Sequence, residues 1–430
     1  MITSTKHCDN IDEINKIIES GEYTKLLKYD HFDGTLGDLS CLMIKSNYDV
    51  LKHIINNSIN LEYNNSDKLK LKPMHLACQY QTIEVIQLLI NNKVNLECED
   101  YYKQRPIHIA CEYQTIEVIQ LLIDNKVDLD CEDYYKQRPI HFACKHQSKP
   151  VIQLLINNKV DLNCEDCHNQ RPIHRACQNQ TKEVIQLLID NKVDLNCETK
   201  FKARPIHFAC QYQTIEVIQL LIDNKVYLEC EGFHKQRPIH MACQYQSKTV
   251  IQLLIDNKVD LNCETKLKTR PIHFACQYQT KEVIELLINN KIDLNCENNS
   301  GLKPIHIACE NQTKDIIQLL INNKVDLNCE TKSKTRPIHF ACQYLSKEEI
   351  QLLINNKVNL NCETKSKTRP IHIACDRGQY SIIKLLMANN VELCCYKSAN
   401  DINPCKIIWM PEHHSMFDEK IRDIVSIILM

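Results

Sequence analysis

Residues 105–111 read Arg105-Pro106-Ile107-His108-Ile109-Ala110-Cys111, and close variants of this string return every 33 residues. The proline marks each copy, at Pro73, Pro106, Pro139, Pro172, Pro205, Pro238, Pro271, Pro304, Pro337 and Pro370, with no insertion or deletion between them. A unit this short cannot bury a core alone, so copies in strict register predict a stack in which each unit is covered by its neighbours. The same regularity bears on chemistry. A side chain that returns at one position in every unit is expected to hold the stack together rather than to attack a substrate.

Residues 73–105 serve as the specimen unit. Pro73 suits a first helical position, where its fixed φ is pre-organised and its missing N–H is not needed. The helix it opens is expected to run through about Gln79. Thr82 then reads as an N-cap, with Glu84 in the first turn of a second helix. That helix carries Ile83, Val85, Ile86, Leu88, Leu89 and Ile90, apolar around most of its circumference, with Glu84, Gln87 and Asn91 as its one wet stripe. Val94-Asn95-Leu96-Glu97-Cys98 alternates apolar and polar residues and reads as a short extended finger, followed by a polar turn into the next proline.

Pro-Ile/Met-His-x-Ala-Cys, then Val-Ile-Gln-Leu-Leu-Ile, then Val-Asp-Leu-Asn-Cys, in that order at this period, resemble the ankyrin repeat. That family's unit reads Thr-Pro-Leu-His-x-Ala, a Leu-Leu-rich helix and Gly-Ala-Asp-Val-Asn. The resemblance implies an all-α solenoid, with a helix-turn-helix and a β-hairpin-like finger in each unit. It places ten repeats at 67–396, a degenerate repeat at 37–66, an N-terminal helical cap at 1–36 and a degenerate C-terminal capping repeat at 397–430. With units about 8–10 Å apart, the ten would span roughly 80–100 Å. The near-identical units and the low glycine content, 6 residues in the chain, are also similar to the large ankyrin families of amoeba-infecting giant DNA viruses.

Three departures from the family pattern stand out. The Thr before the proline is here Arg (Arg105, Arg138, Arg171, Arg204, Arg237, Arg270, Arg336, Arg369) or Lys (Lys72, Lys303), so the family's Thr-to-His hydrogen bond must be lost or replaced. The Gly between the helices is mostly Gln, as at Gln81 and Gln114, and survives at Gly378. The Gly after the second helix is Lys, as at Lys93, Lys126 and Lys159. A left-handed lysine there costs roughly 1–2 kcal/mol, unless the neighbouring Asn92 takes that conformation.

Composition sets the class. Hydrophobic residues at 43% and charged residues at 25% are ordinary for a soluble protein, and a formal charge of -2 exerts no global pull on nucleic acid or membrane. No apolar run reaches the length of a membrane span, and Met1 to Asn10 lacks the apolar centre of a signal peptide. Most of the 25 cysteines fall in the repeated His-x-Ala-Cys and Leu-x-Cys positions. Equivalent cysteines in stacked units lie too far apart for disulfides, so they read as small apolar side chains and free thiols. An intracellular, cytoplasmic setting is the expectation.

The sites suggested by local motifs are weak. The histidines at His75, His108 and their equivalents suggest a metal ladder, but the resemblance implies a structural role, bonding loop backbone between units. Cys164-Glu165-Asp166-Cys167-His168 has the haem-attachment spacing, yet Cys164 is simply the repeated cysteine and no second ligand pair closes a zinc site. No phosphate-cradling glycine loop, nucleophile elbow or metalloprotease motif occurs. No cofactor, metal, small-molecule substrate or enzymatic activity is expected.

What remains is a surface. The family's variable contact positions fall on the finger tips and the exposed end of the first helix. Here these hold Tyr80, Tyr113, Tyr212, Tyr245, Tyr278 and Tyr344 on the helix, and Tyr101, Tyr134, Phe201 and Phe233 on the early fingers. Later fingers turn basic at Lys266, Lys332 and Lys365. Tyrosine is enriched at binding hot spots, although recent duplication would also copy such a row without selection. The expected function is that of a monomeric, non-enzymatic scaffold holding a partner protein, with an acidic surface matching the late fingers. Glu264, Glu330 and Glu363 halve the charge of those fingers, which argues against nucleic acid as the partner. The alternative is an adaptor that recruits ubiquitin ligase machinery through an F-box-like segment at 404–430, a segment that also fits a capping unit.

Overall fold

The computed structural model describes residues 48–57, 70–311, 314–389 and 391. The expected cap at 1–36, the degenerate repeat at 397–430 with its F-box-like segment, and all of 37–66 but the helix Tyr48–Asn57 lie outside them. The chain divides into two compact units between Val226 and Tyr227.

In the first unit the proline-led helices are Pro73–Tyr80, Pro106–Tyr113, Pro139–His146, Pro172–Asn179 and Pro205–Tyr212. Each is followed by a second helix, Ile83–Asn91, Ile116–Asp124, Lys149–Asn157, Lys182–Asp190 or Ile215–Asp223. In the second unit the first helices are Pro238–Tyr245, Pro271–Tyr278, Pro304–Asn311, Pro337–Tyr344 and Pro370–Asp376. Their second helices are Lys248–Asp256, Lys281–Asn289, Lys314–Asn322, Lys347–Asn355 and Tyr380–Ala388. Within each unit, first helices stack on first helices and second helices on second helices, the former more intimately. The closer approach follows from side-chain size: Ala110 and Cys111, like their equivalents, are 0% exposed and present little bulk at the contact. Each second helix buries a narrower stripe, for example Val118, Ile119 and Leu122. Among the described residues there is no strand, so each unit belongs to an all-α repeat architecture.

The three departures from the family pattern resolve into distinct local structures. Gln81 (φ −111°) and Gln114 (φ −100°) leave the first helix in an extended conformation that any residue adopts. In the last described repeat the chain continues helically through Arg377 into a left-handed Gly378 (φ 64°). After the second helix the lysine itself goes left-handed, as at Lys93 (φ 58°), Lys126 (φ 62°) and Lys159 (φ 59°), while Asn92 stays at φ −86°. Lys93 N–H donates to the Ile90 carbonyl (2.9 Å) and Val94 N–H to the Leu89 carbonyl (3.3 Å). This is the left-handed helix stop in which two terminal carbonyls are satisfied, normally built on glycine.

The finger differs from the expected extended one. Val94 and Cys98 are buried and Asn95 is exposed, but Leu96 and Glu97 are both half-buried, because the chain turns there rather than running straight. The Asn95 side-chain oxygen accepts the Glu97 N–H (2.8 Å), and Asp128 does the same for Asp130 (3.0 Å). A short polar side chain that captures its own backbone two residues on favours a turn over a strand. The tip is a second turn of the same kind. Buried Asp100 accepts the N–H groups of Tyr102 and Gln104, both at 2.8 Å, and Thr199 substitutes for the aspartate four repeats into the same series. Successive tips are joined by one backbone bond each, Tyr134 N–H to Tyr102 O (2.7 Å) in the first unit and Lys365 N–H to Ser333 O (2.9 Å) in the second.

Candidate functional site

The first helix is pinned at its start by the repeated histidine. With Arg in place of Thr, the backbone N–H at that position bonds to imidazole Nδ1, as Arg105 to His108 (2.9 Å) and Arg138 to His141 (3.0 Å). Nδ1 is thereby an acceptor, so Nε2 carries the proton and donates to a backbone carbonyl further along the chain. His75 reaches Gln104 O (2.9 Å) and His141 reaches Gln170 O (3.1 Å). Burial lowers the pKa of His75, His108 and His174 to about 4. A neutral, doubly bonded, buried imidazole has no free position for a metal or a substrate proton.

The histidines alternate between two environments. His108, His174, His240 and His306 reach the carbonyls of Cys131, Cys197, Cys263 and Cys329. Each also meets the edge of a phenyl ring, from Phe142, Phe208, Phe274 or Phe340, at 5.6–5.8 Å. His273 and His339 bond to Leu302 O and Thr368 O, the carbonyl position that His108 also reaches at Gln137 (3.2 Å), and it is the phenyl contact that distinguishes the two sets. The structural period within each unit is therefore two repeats. The signal was present in the sequence, where phenylalanine occupies the fourth position of every second first helix from Phe142 to Phe340, with Leu76 in that place in the earliest of the series, and the shorter period averages it away.

The arginine that replaces Thr makes ion pairs instead of a cap. Arg204 holds Glu198 (2.7 Å), Arg270 holds Glu264 (2.9 Å) and Arg336 holds Glu330 (2.7 Å). Several reach across to the next repeat as well, as Arg270 does to Asp293 (3.2 Å). The glutamates expected to halve the basic charge of the late fingers are thus each bound by the arginine six residues on, and Glu363 is shared with Lys367 as well.

The cysteines of the described residues are free thiols, and all but Cys167 are buried. Cys131 Sγ lies 3.8 Å from His108 Nε2, but burial pushes the thiol up to about 12, so the contact is no activated dyad. No three His, Cys, Asp or Glu side chains among the described residues are grouped to hold a metal ion. A hollow on one second helix, lined by Ile116, Glu117, Gln120, Leu121 and Asp124, is open, and its Gln120 and Asp124 side chains bond to each other (2.6 Å). No described helix is long and apolar enough to cross a membrane.

Two exposed rows remain. The first ends the first helices. Tyr80, Tyr113 and Tyr212 in the first unit, and Tyr245, Tyr278 and Tyr344 in the second, are each about half exposed, between 47% and 56%. Arg377 lies over the Tyr344 ring at 5.9 Å. The second row is the fingertips, where Tyr101, Tyr134, Phe201, Phe233, Lys266, Lys332 and Lys365 are all exposed. They do not form one column. Tyr101, Tyr134, Phe233 and the three lysines occupy the first tip position, whereas Phe201 follows Tyr102, Tyr135 and His168 in the second. In that second column Tyr102 stacks on Tyr135 (6.3 Å between centroids) and His168 on Phe201 (6.4 Å).

Between the two rows lies a strip that sequence reasoning missed. Ile109, Phe142, Arg175 and Phe208, four residues before each helix end, share the face of the tyrosine row. Arg175 is the polar exception in this strip. It pairs with Asp166 (3.1 Å), whose side chain is 1% exposed, and bonds to the Gln137 side chain (3.3 Å).

The family profile for Ankyrin repeats (3 copies) matches residues 40–133, 126–199, 173–265, 239–331 and 313–396. The chain belongs to the ankyrin-repeat family, whose members generally mediate protein–protein interaction. No curated protein is matched by the chain.

Proposed function

We propose that this chain is a non-enzymatic interaction scaffold that holds a partner protein against the first-helix ends and fingertips. The observation that carries the reading is the row of half-exposed tyrosines, each set on a helix whose start is locked by a buried histidine. Large rings held on a rigid frame bind at low entropic cost. The repetition of one modest contact along each unit substitutes for a deep pocket. The late lysines favour a partner with an acidic surface.

The test compares the intact chain with Tyr212→Ala/Tyr245→Ala/Tyr278→Ala in capture from cell lysate, with helicity and melting measured on both. Loss of a captured protein with unchanged folding supports the face. Equal capture by both chains, or unfolding of the variant, sinks it.

A further inference from the structure

We propose that the fingertips of the second unit form a basic comb that takes an extended acidic segment of a protein, which deepens the partner-binding reading above and rests on it. Lys266 and Lys268, Lys332 and Lys334, and Lys365 and Lys367 stand exposed on three tips. The carboxylate of each of these fingers is engaged below the tip: Glu264 by Arg270, Glu330 by Arg336 and Glu363 by Arg369. Lys367 also reaches Glu363 (3.3 Å), and the other five lysines make no ion pair among the described residues. Each of these fingers therefore carries a net excess of two positive charges once its Glu, two Lys and Arg are counted.

The tips stand side by side. Asn299 N–H bonds to Leu267 O (2.9 Å), Lys332 N–H to Ser300 O (3.1 Å) and Lys365 N–H to Ser333 O (2.9 Å). The comb has one missing tooth, the uncharged tip Asn299-Ser300-Gly301. Gly301 is left-handed (φ +75°), and a Cβ there would lie 2.8 Å from the Lys332 nitrogen, so the spacer packs directly against the charged tip beside it.

The occupant follows from what the tips lack. Their second positions are Leu267, Ser300, Ser333 and Ser366, with no ring on which a nucleic-acid base could stack. Carboxylates need no such platform. An extended chain advances about 3.3 Å per residue, and packed helical units repeat at about 8–10 Å, so a carboxylate at roughly every third residue meets successive tips. Individually weak contacts add along one chain.

The full-length protein is titrated into a fluorescein-labelled peptide of eight Glu-Ser-Ser triplets, with an oligothymidylate of 24 nucleotides as the nucleic-acid arm. Lys332→Asn/Lys365→Asn places at two tips the residue that Asn299 already supplies at a third, and Asn299→Lys fills the gap. The expected result is peptide affinity weakened about fivefold or more in the double variant and tightened up to about fivefold by Asn299→Lys. Salt dependence should change in the same sense. The tyrosine triple variant should bind the peptide as the parent does, so a failed tyrosine face and a failed comb give separate signatures. Absence of peptide binding, indifference to both lysine-tip variants, or tighter binding of the oligonucleotide than of the peptide overturns the proposal.

Discussion

The backbone N–H of Arg105 donates a 2.9 Å hydrogen bond to Nδ1 of His108. The family's threonine hydroxyl is thereby dispensed with, and the imidazole becomes the cap of its own helix. The bond exists only while Nδ1 keeps its lone pair, so the frame depends on ten buried rings staying neutral.

Acid should therefore dismantle the fold early. Burial holds His75, His108, His174, His240 and His306 down to about 4 in the folded protein, from 6.5 unfolded. A lowered folded pKa means that the unfolded chain binds more protons between those values. The stabilisation is complete above pH 6.5 and is lost as pH falls from there towards 4, by up to about 1.4 kcal/mol per pH unit for each histidine. Thermal melts at pH 7.5, 6, 5 and 4 should show a steep decline in that window. A flat profile between pH 6.5 and 4.5 would contradict the assigned hydrogen bonding.

The left-handed lysines are sites of stored backbone strain. Replacing Lys126, Lys159 and Lys192 (φ 62°, 59° and 60°) by glycine removes roughly 1–2 kcal/mol of strain at each, less about 0.5–1 kcal/mol of glycine entropy. Each change should stabilise by about 0.5–1 kcal/mol, and the triple variant should denature at distinctly higher denaturant. A lower midpoint would show that these side chains stabilise the array by contacts that outweigh the strain.

Arg175 and Asp166 should behave as a unit. Arg175→Met leaves a carboxylate whose side chain is 1% exposed without its counter-charge, at a cost of about 3–5 kcal/mol. Adding Asp166→Thr, the residue found at Thr199 and Thr265, should recover most of the loss, since threonine makes the same tip bonds there. A double-mutant cycle by chemical denaturation measures the coupling. Additive losses would place Arg175 outside the folding core.

The architecture was legible because proline, histidine and alanine recur at one spacing, and each has a single helical use. The tyrosine row was legible for the same reason. How the late fingers share out their charges was not legible, because Glu264 sits only two residues from Lys266 in sequence while its carboxylate is held by Arg270. The turn at Leu96–Glu97 was read as extended, because alternating apolar and polar residues are common to a strand and to a tight turn whose polar residue bonds its own backbone. The strip through Phe142, Arg175 and Phe208 went unread because conformity to the family pattern drew attention to the positions around it.

The pairing of each phenyl edge with the histidine of the repeat before it makes the middle of each unit a copolymer of two kinds of repeat. In the first unit, deleting the repeat that carries Arg175 would set the Phe142 and Phe208 helices side by side, whereas deleting it together with the Phe142 repeat would leave Ile109 before Phe208 and keep the alternation. The paired deletion should therefore keep a sharper unfolding transition than the single one, so that the length of such a unit changes most smoothly by two repeats at a time.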